Sequence, residues 1–110
     1  MRHCDFKVVL SDTYERLQEL TNSKGAEYTG QDRGLDDQLA NFREGALRVG
    51  ITMEQVWLVL FDKHVSAISA FVRTGKERSE PITGRIDDAI LYLVLLKAIV
   101  QERRLGDDDA

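Results

Sequence analysis

Apolar residues recur along most of this chain at the three- and four-residue spacing of an α-helix, and only one proline, Pro81, interrupts 110 residues. That spacing puts the apolar side chains on one face of each helix. It predicts an all-α fold, a small four-helix bundle. The segment from Phe6 to Leu10 fits either a short strand or a helical extension, because a run of five residues does not separate the two.

Capping residues and glycines predict where the helices begin and end. Asp12 and Thr52 each stand three residues before a glutamate or glutamine, which is the spacing of a capping box. Gly50 and Gly75 stand where a left-handed residue would end a helix. Residues 23–34 are rich in glycine and poor in apolar residues, so they predict a loop, with a helical turn over residues 24–28 as an option. The predicted helices cover residues 12–22, 36–49, 52–74 and 81–104, with Pro81 in the first turn of the last one.

Composition and charge narrow the class of protein. Residues 1–104 are predicted to form a single helical domain, and residues 105–110, LGDDDA, a disordered acidic tail. The net charge of −4 argues against direct binding to duplex DNA or to an anionic membrane. The apolar run over residues 89–100 is too short to span a bilayer. A lone cysteine, Cys4, forms no internal disulfide, and a cytoplasmic protein is the expectation.

The fourth predicted helix is apolar on nearly all sides. Leu91 and Leu95 lie opposite its main apolar stripe, so a four-helix chain can hardly cover both faces. We therefore expect a homodimer with this helix at its seam. The alternative is a monomeric bundle with this helix in the middle. The main stripe is Ile82, Ile86, Ile90, Leu93 and Val100.

Three carboxylates lie near the start of the same helix. Glu80, Asp87 and Asp88 share one side with Gly84, which lets another group approach closely. Oxygen ligands of this kind suit Mg²⁺, so these three are the predicted metal ligands. The alternative is that they only complement the positive end of the helix dipole.

Three further side chains are candidates for ligand binding. Lys63 borders the apolar face of the third helix, where its ammonium could reach a phosphate, and Arg85 could do the same or pair with a carboxylate. His64 lies within the apolar face, so it is either a ligand-binding residue or a core residue. A third group, in a predicted loop where such residues also occur by chance, is Lys24, Glu27 and Tyr28.

The order of several short motifs resembles a known family. They are KGAEY (24–28), ANF (40–42), DKH (62–64), SEP (79–81) and DDAILY (87–92). In this order they resemble small phage-encoded helical proteins of the nucleotide modification associated domain type 1 family, whose biochemical function is unknown. The resemblance covers roughly residues 10–102. It implies roles for Lys24, Glu27, Tyr28, Asn41, Phe42, Asp62, Lys63, Glu80, Asp88 and Tyr92.

The sequence departs from that family at the last helix, where Gly84 replaces a further acidic residue. The family layout is also similar to that of the all-α nucleoside triphosphate pyrophosphohydrolases, which bind Mg²⁺ through paired acidic motifs on adjacent helices. Here the one E-x-x-E motif, Glu77 to Glu80, runs into Pro81 at a helix start. That similarity therefore concerns the fold alone.

Together these features predict a phage-type protein of the host cytoplasm that binds or processes a nucleotide through a carboxylate–Mg²⁺ site. Lys63 and Arg85 would meet the phosphates, and His64 and Tyr28 the base or sugar. No catalytic residue is assigned, because the sequence lacks a P-loop and a nucleophile elbow. The alternative is a non-enzymatic helical module that binds a host or phage protein.

Overall fold

In the computed structural model, residues 1–29 and 37–109 are described; they form four α-helices and no strand. Side chains are described for residues 1–22 and 37–106. The predicted all-α fold is confirmed. The chain divides into two compact units, Met1–Gln38 and Leu39–Ala110, which are described separately below. The helices are α1 (His3–Thr29), α2 (Ala40–Val49), α3 (Met53–Thr74) and α4 (Ile82–Asp109).

Helix α1 begins well before the predicted start at Asp12. The Phe6 amide donates to the Arg2 carbonyl at 3.0 Å, so the segment from Phe6 to Leu10 is helical and not a strand. The capping signal at Asp12 misled because the first 24 residues contain no glycine or proline to interrupt a longer helix. The helix also continues through Thr29, so the loop predicted from residue 23 is wrong up to residue 29, and the helical turn considered over residues 24–28 is part of a longer helix. Residues 30–34 of that predicted loop lie outside the described residues.

Helix α2 begins later than predicted and ends as predicted. Residues 37–39 are not helical, and the Leu39 carbonyl accepts the amides of Phe42 and Arg43 at 3.1 and 3.0 Å. The N-cap residue, Leu39, has an apolar side chain that makes no capping hydrogen bond. At the other end Gly50 has φ of 79° and its amide donates to the Ala46 carbonyl. This left-handed residue ends the helix, as its glycine indicated.

Helix α3 has both of its predicted boundaries. The Gln55 amide donates to the Thr52 hydroxyl at 3.1 Å, and the Thr52 amide donates to the Gln55 side-chain oxygen at 2.8 Å. These two bonds form the capping box. Gly75, with φ of 70°, ends the helix after Thr74. Local hydrogen bonding alone therefore sets the length of this helix.

The second unit is built around a core that α2, α3 and α4 share. The indole nitrogen of Trp57 donates to the Tyr92 carbonyl at 2.6 Å, and the Trp57 ring stacks on Phe61 with centroids 4.6 Å apart. Arg103 pairs with Glu54 at 2.7 Å, which joins the end of α4 to the start of α3. The two helices are therefore antiparallel. The buried core cluster is Leu39, Phe42, Trp57 and Ile99.

Helix α4 does not bury the stripe that the periodicity indicated. Ile99 is fully buried, whereas Ile86 and Leu93 are 41% and 50% exposed. Leu95, predicted to lie at a dimer seam, packs against the core cluster. A helix that is apolar on most sides leaves the choice of buried face to its neighbours.

The ends of α4 also differ from the prediction. Pro81 immediately precedes the helix, and its carbonyl accepts the Arg85 amide at 3.2 Å. The helical backbone continues through Asp109, past the predicted end near Arg104 and through most of the predicted acidic tail. Among the described residues, no helix is both long enough and apolar enough to cross a bilayer.

Candidate functional site

A cavity of about 660 Å³ lies between the end of α3, the connection that follows it and the start of α4. We call it the α3–α4 cavity. This volume is within the range of small-molecule sites in proteins, about 300–1,000 Å³. Its lining residues are Asp62, Lys63, Ser66, Ala67, Ala70, Phe71, Arg73, Lys76, Glu77, Arg78, Ser79, Glu80, Ile82 and Arg85.

The charge of this cavity is opposite in sign to that of the chain. Five lining residues are cationic and three are anionic, a surplus of two positive charges in a chain of net charge −4. Within the described residues, Arg85 alone of the five cations has an ion-pair partner, Glu80, at 3.7 Å. An anion in the cavity would relieve the repulsion between the other four. Those four are Lys63, Arg73, Lys76 and Arg78.

One of the three carboxylates already has a structural role. Glu77 accepts a hydrogen bond from the Ile82 amide at 3.1 Å, so it satisfies a free amide at the start of α4. The Glu80 carboxylate pairs with Arg85. Only Asp62 lines the cavity without either kind of contact in the part of the chain that the structure describes. The negative charge facing the cavity is thus partly compensated, which leaves the cations dominant.

The cavity also has an apolar side, which α3 and the first residue of α4 form. Phe71 is half-buried there, and Ala67, one turn earlier in α3, and Ala70, the preceding residue, also line this side. Ile82 contributes from the start of α4. A cavity with an apolar wall and several cations has the chemistry that an organic phosphate requires, since the two parts of such a ligand need different surroundings.

Three of the predicted site residues meet in this cavity. Lys63, Glu80 and Arg85 all line it, although they come from α3, the connection and α4. His64 does not line it. Its ring packs on that of Tyr92, with centroids 4.8 Å apart, and its Nδ1 atom is buried. The structure therefore places His64 in the core, which was the alternative to a ligand-binding role.

The other predicted metal ligands lie elsewhere. Asp87 and Asp88 are half-buried on α4 and do not line the cavity that Glu80 lines. Within residues 1–29 and 37–109, no group of three or more histidine, cysteine, aspartate or glutamate residues could hold a metal ion. The three carboxylates share a side of a helical wheel, but Glu80 precedes Pro81 and so stands outside the helix.

The remaining predicted residues are placed only by their backbone. Lys24, Glu27 and Tyr28 belong to α1, not to a loop, and their side chains lie outside the described residues.

Sequence reasoning did not find three of the cavity cations. Arg73 lies in the last turn of α3, and Lys76 and Arg78 lie in the connection GKERSE. A basic cluster before a helix start was the available signal. It was obscured because acidic residues alternate with the basic ones.

Comparison of the chain with protein-family models, with curated proteins and with solved structures finds no match.

Proposed function

We propose that this protein binds a phosphorylated nucleotide in the α3–α4 cavity. The observation that carries the proposal is the cluster of four cations without ion-pair partners among the described residues, gathered in a cavity of an acidic chain. Guanidinium and ammonium groups bind phosphate through charge-assisted hydrogen bonds, which are about twice as strong as neutral ones. The proposal agrees with the resemblance to the nucleotide modification family.

Each part of the nucleotide has a counterpart in the cavity. Lys63 and Arg85 would bind the phosphates, and Arg73 lies at the same cavity from the last turn of α3. Phe71 would contact the base, because an aromatic ring stacks on any base. Tyr28 and His64 are not needed for this arrangement.

Magnesium has a narrower role in this proposal than in the sequence-based one. Protein-bound Mg²⁺ keeps several waters and is often held by one or two carboxylates together with substrate phosphates. Glu80 lines the cavity and is the carboxylate that would contact such an ion. Asp87 and Asp88 would take no part. No residue is assigned to catalysis.

A thermal unfolding panel tests the proposal. Nucleoside mono-, di- and triphosphates, each with and without Mg²⁺, should raise the unfolding temperature, because a ligand at 100 times its Kd stabilises by about 2.7 kcal/mol. Lys63→Gln should weaken the response by about tenfold or more in Kd, as expected for a lost charge-assisted bond. Arg48→Gln is the matched control, since Arg48 is exposed on α2 and does not line the cavity.

Two results would contradict nucleotide binding. One is the absence of any shift with all nucleotides at millimolar concentration. The other is an equal loss of response in Lys63→Gln and Arg48→Gln, which would show attraction to the chain in general and not to this cavity.

The alternative function is a helical interaction module that binds another protein. Exposed apolar side chains favour it, including Leu58, Val59, Val65 and Val72 on α3, which are 43–74% exposed. Such a module would show no response to nucleotides. A homodimer, the assembly expected from the sequence, remains part of the main proposal.

A further inference from the structure

Helix α4 carries an apolar face that the core of its own unit does not cover. Leu93 is 50% exposed and Ile86 41%, and Val100 is half-buried. At 100° per residue the three fall within about 40° of one another. They lie about 100–140° around the helix from Ile99, the fully buried residue of α4, while the buried Ala89 borders them on the side towards the core. We call Ile86, Leu93 and Val100 the Leu93 face.

The spacing of this face is symmetric. Ile86 precedes Leu93 by seven residues and Val100 follows it by seven. A two-fold axis at Leu93, perpendicular to the helix, therefore brings the face onto itself with two copies of α4 antiparallel. Leu93 would meet the partner's Leu93, and Ile86 would meet the partner's Val100. Two-fold dimers require a surface that complements itself in this way, and seven-residue spacing is typical of packed helix pairs.

The charges beside the face fit the same arrangement. Lys97 is exposed and Asp87 half-buried, on the same flank of the face, and neither has an ion-pair partner within the described residues. In the antiparallel pair, Lys97 would lie level with position 89 of the partner helix. The partner's Asp87 is two residues from that level, about 3 Å along the axis, and about 120° around its helix from Leu93, so the long lysine side chain would extend along the flank to meet it. The two-fold axis would form this ion pair twice.

Helix α3 extends the apolar surface beside α4. Because α3 and α4 are antiparallel, Leu58 and Val65 lie on the side of the pair where the Leu93 face lies. They are 60% and 43% exposed. The α3 residues Lys63, Ser66 and Ala70 of the α3–α4 cavity occupy the opposite flank of α3, whereas its α4 residue Ile82 is in line with the Leu93 face, one turn before Ile86.

We propose that a second copy of this chain docks on the Leu93 face, with the two α4 helices antiparallel about Leu93 and with Lys97 paired to the partner's Asp87. The inference rests on the homodimer of the proposed function and names its surface. It moves the seam from the predicted Leu91 and Leu95 to the opposite flank of α4.

Light scattering on the full chain, separated by size at micromolar concentration, tests the docking surface. The mass should be about twice 12.5 kDa. Leu93→Glu should reduce it to that of one chain while the helical circular dichroism is retained, because Leu93 is half-exposed and outside the core. Val59→Glu is the matched control, since Val59 is 64% exposed on a different flank of α3 and the dimer should persist.

A charge exchange tests the geometry without touching the apolar face. Lys97→Glu alone should raise the dimer dissociation constant by about tenfold, because it turns two attractions into two repulsions. Adding Asp87→Lys to the same chain should restore the wild-type value. Failure of the double variant to restore it would overturn the antiparallel pairing.

The remaining outcomes separate this inference from the proposed function. A wild-type mass of one chain would overturn the dimer and leave nucleotide binding untouched, since the cavity lies within one chain. A Leu93→Glu protein that remains a dimer would overturn the surface proposed here while the homodimer itself stood. Loss of the nucleotide response with an intact dimer would contradict the cavity proposal alone.

Discussion

Replacing Ile99 with alanine tests whether the core of the second unit has been correctly located. Ile99 is fully buried and packs with Leu39, Phe42 and Trp57. The change removes three carbon groups, worth about 0.8 kcal/mol each on burial, and leaves a cavity that adds to the loss. We expect the free energy of unfolding to fall by about 2–5 kcal/mol, a large part of the roughly 5–15 kcal/mol of a typical domain.

Val94→Ala is the control on the same helix. Val94 is 50% exposed, so losing two carbon groups costs about 0.8 kcal/mol, and alanine regains most of this through its higher helix propensity. Its unfolding free energy should therefore stay within about 0.5 kcal/mol of the wild-type value. Urea unfolding followed by circular dichroism, at one fixed protein concentration, measures the free energy of unfolding of both variants. A cost below about 1 kcal/mol for Ile99→Ala, or equal costs for the two variants, would refute this location of the core.

Three other changes test the helix ends and the core hydrogen bond, all by the same urea assay. Thr52→Ala breaks the capping box and should lower the free energy of unfolding by about 1 kcal/mol. Thr52→Ser keeps the hydroxyl and should retain most of that stability. Gly75→Ala should lower the free energy of unfolding by about 1–2 kcal/mol, because φ of Gly75 is positive. Gly84→Ala should raise it, because α4 has open space for the added methyl group and alanine favours a helix. Equal effects of the two changes would contradict this contrast. Trp57→Phe should cost at least about 1 kcal/mol, because the Tyr92 carbonyl loses its indole donor; no cost would contradict that bond.

Local signals predicted the helix ends that depend on local hydrogen bonds. Gly50, Thr52 and Gly75 act within one turn of their own helices, so their neighbours in sequence are sufficient to identify them. The predicted start of α1 at Asp12 was wrong, because a capping pattern is uninformative when the helix continues on both sides of it, and of the two alternatives for residues 6–10 the helical extension is confirmed.

Long-range packing explains what the sequence left undetermined. Which face of α4 is buried depends on where α2 and α3 lie. Because α4 is apolar on most sides, its sequence does not indicate which of those sides will be buried. The cavity was partly predicted, because Lys63, Glu80 and Arg85 were selected for their chemistry. Arg73 and Arg78 join them only because α3 and α4 turn back on each other, which no spacing along the chain indicates.

Trp57 provides the protein with an internal optical reporter. It is the single tryptophan of the chain, it is buried, and its ring is held between a stacking partner and a carbonyl acceptor. Its fluorescence should therefore be blue-shifted in the folded protein and move to the red when α3 and α4 separate. Phe71, where the base would stack, lies 14 residues further along α3, about 21 Å away, so a bound base should not contact the Trp57 ring. The wavelength of this emission therefore reports the separation of α3 from α4.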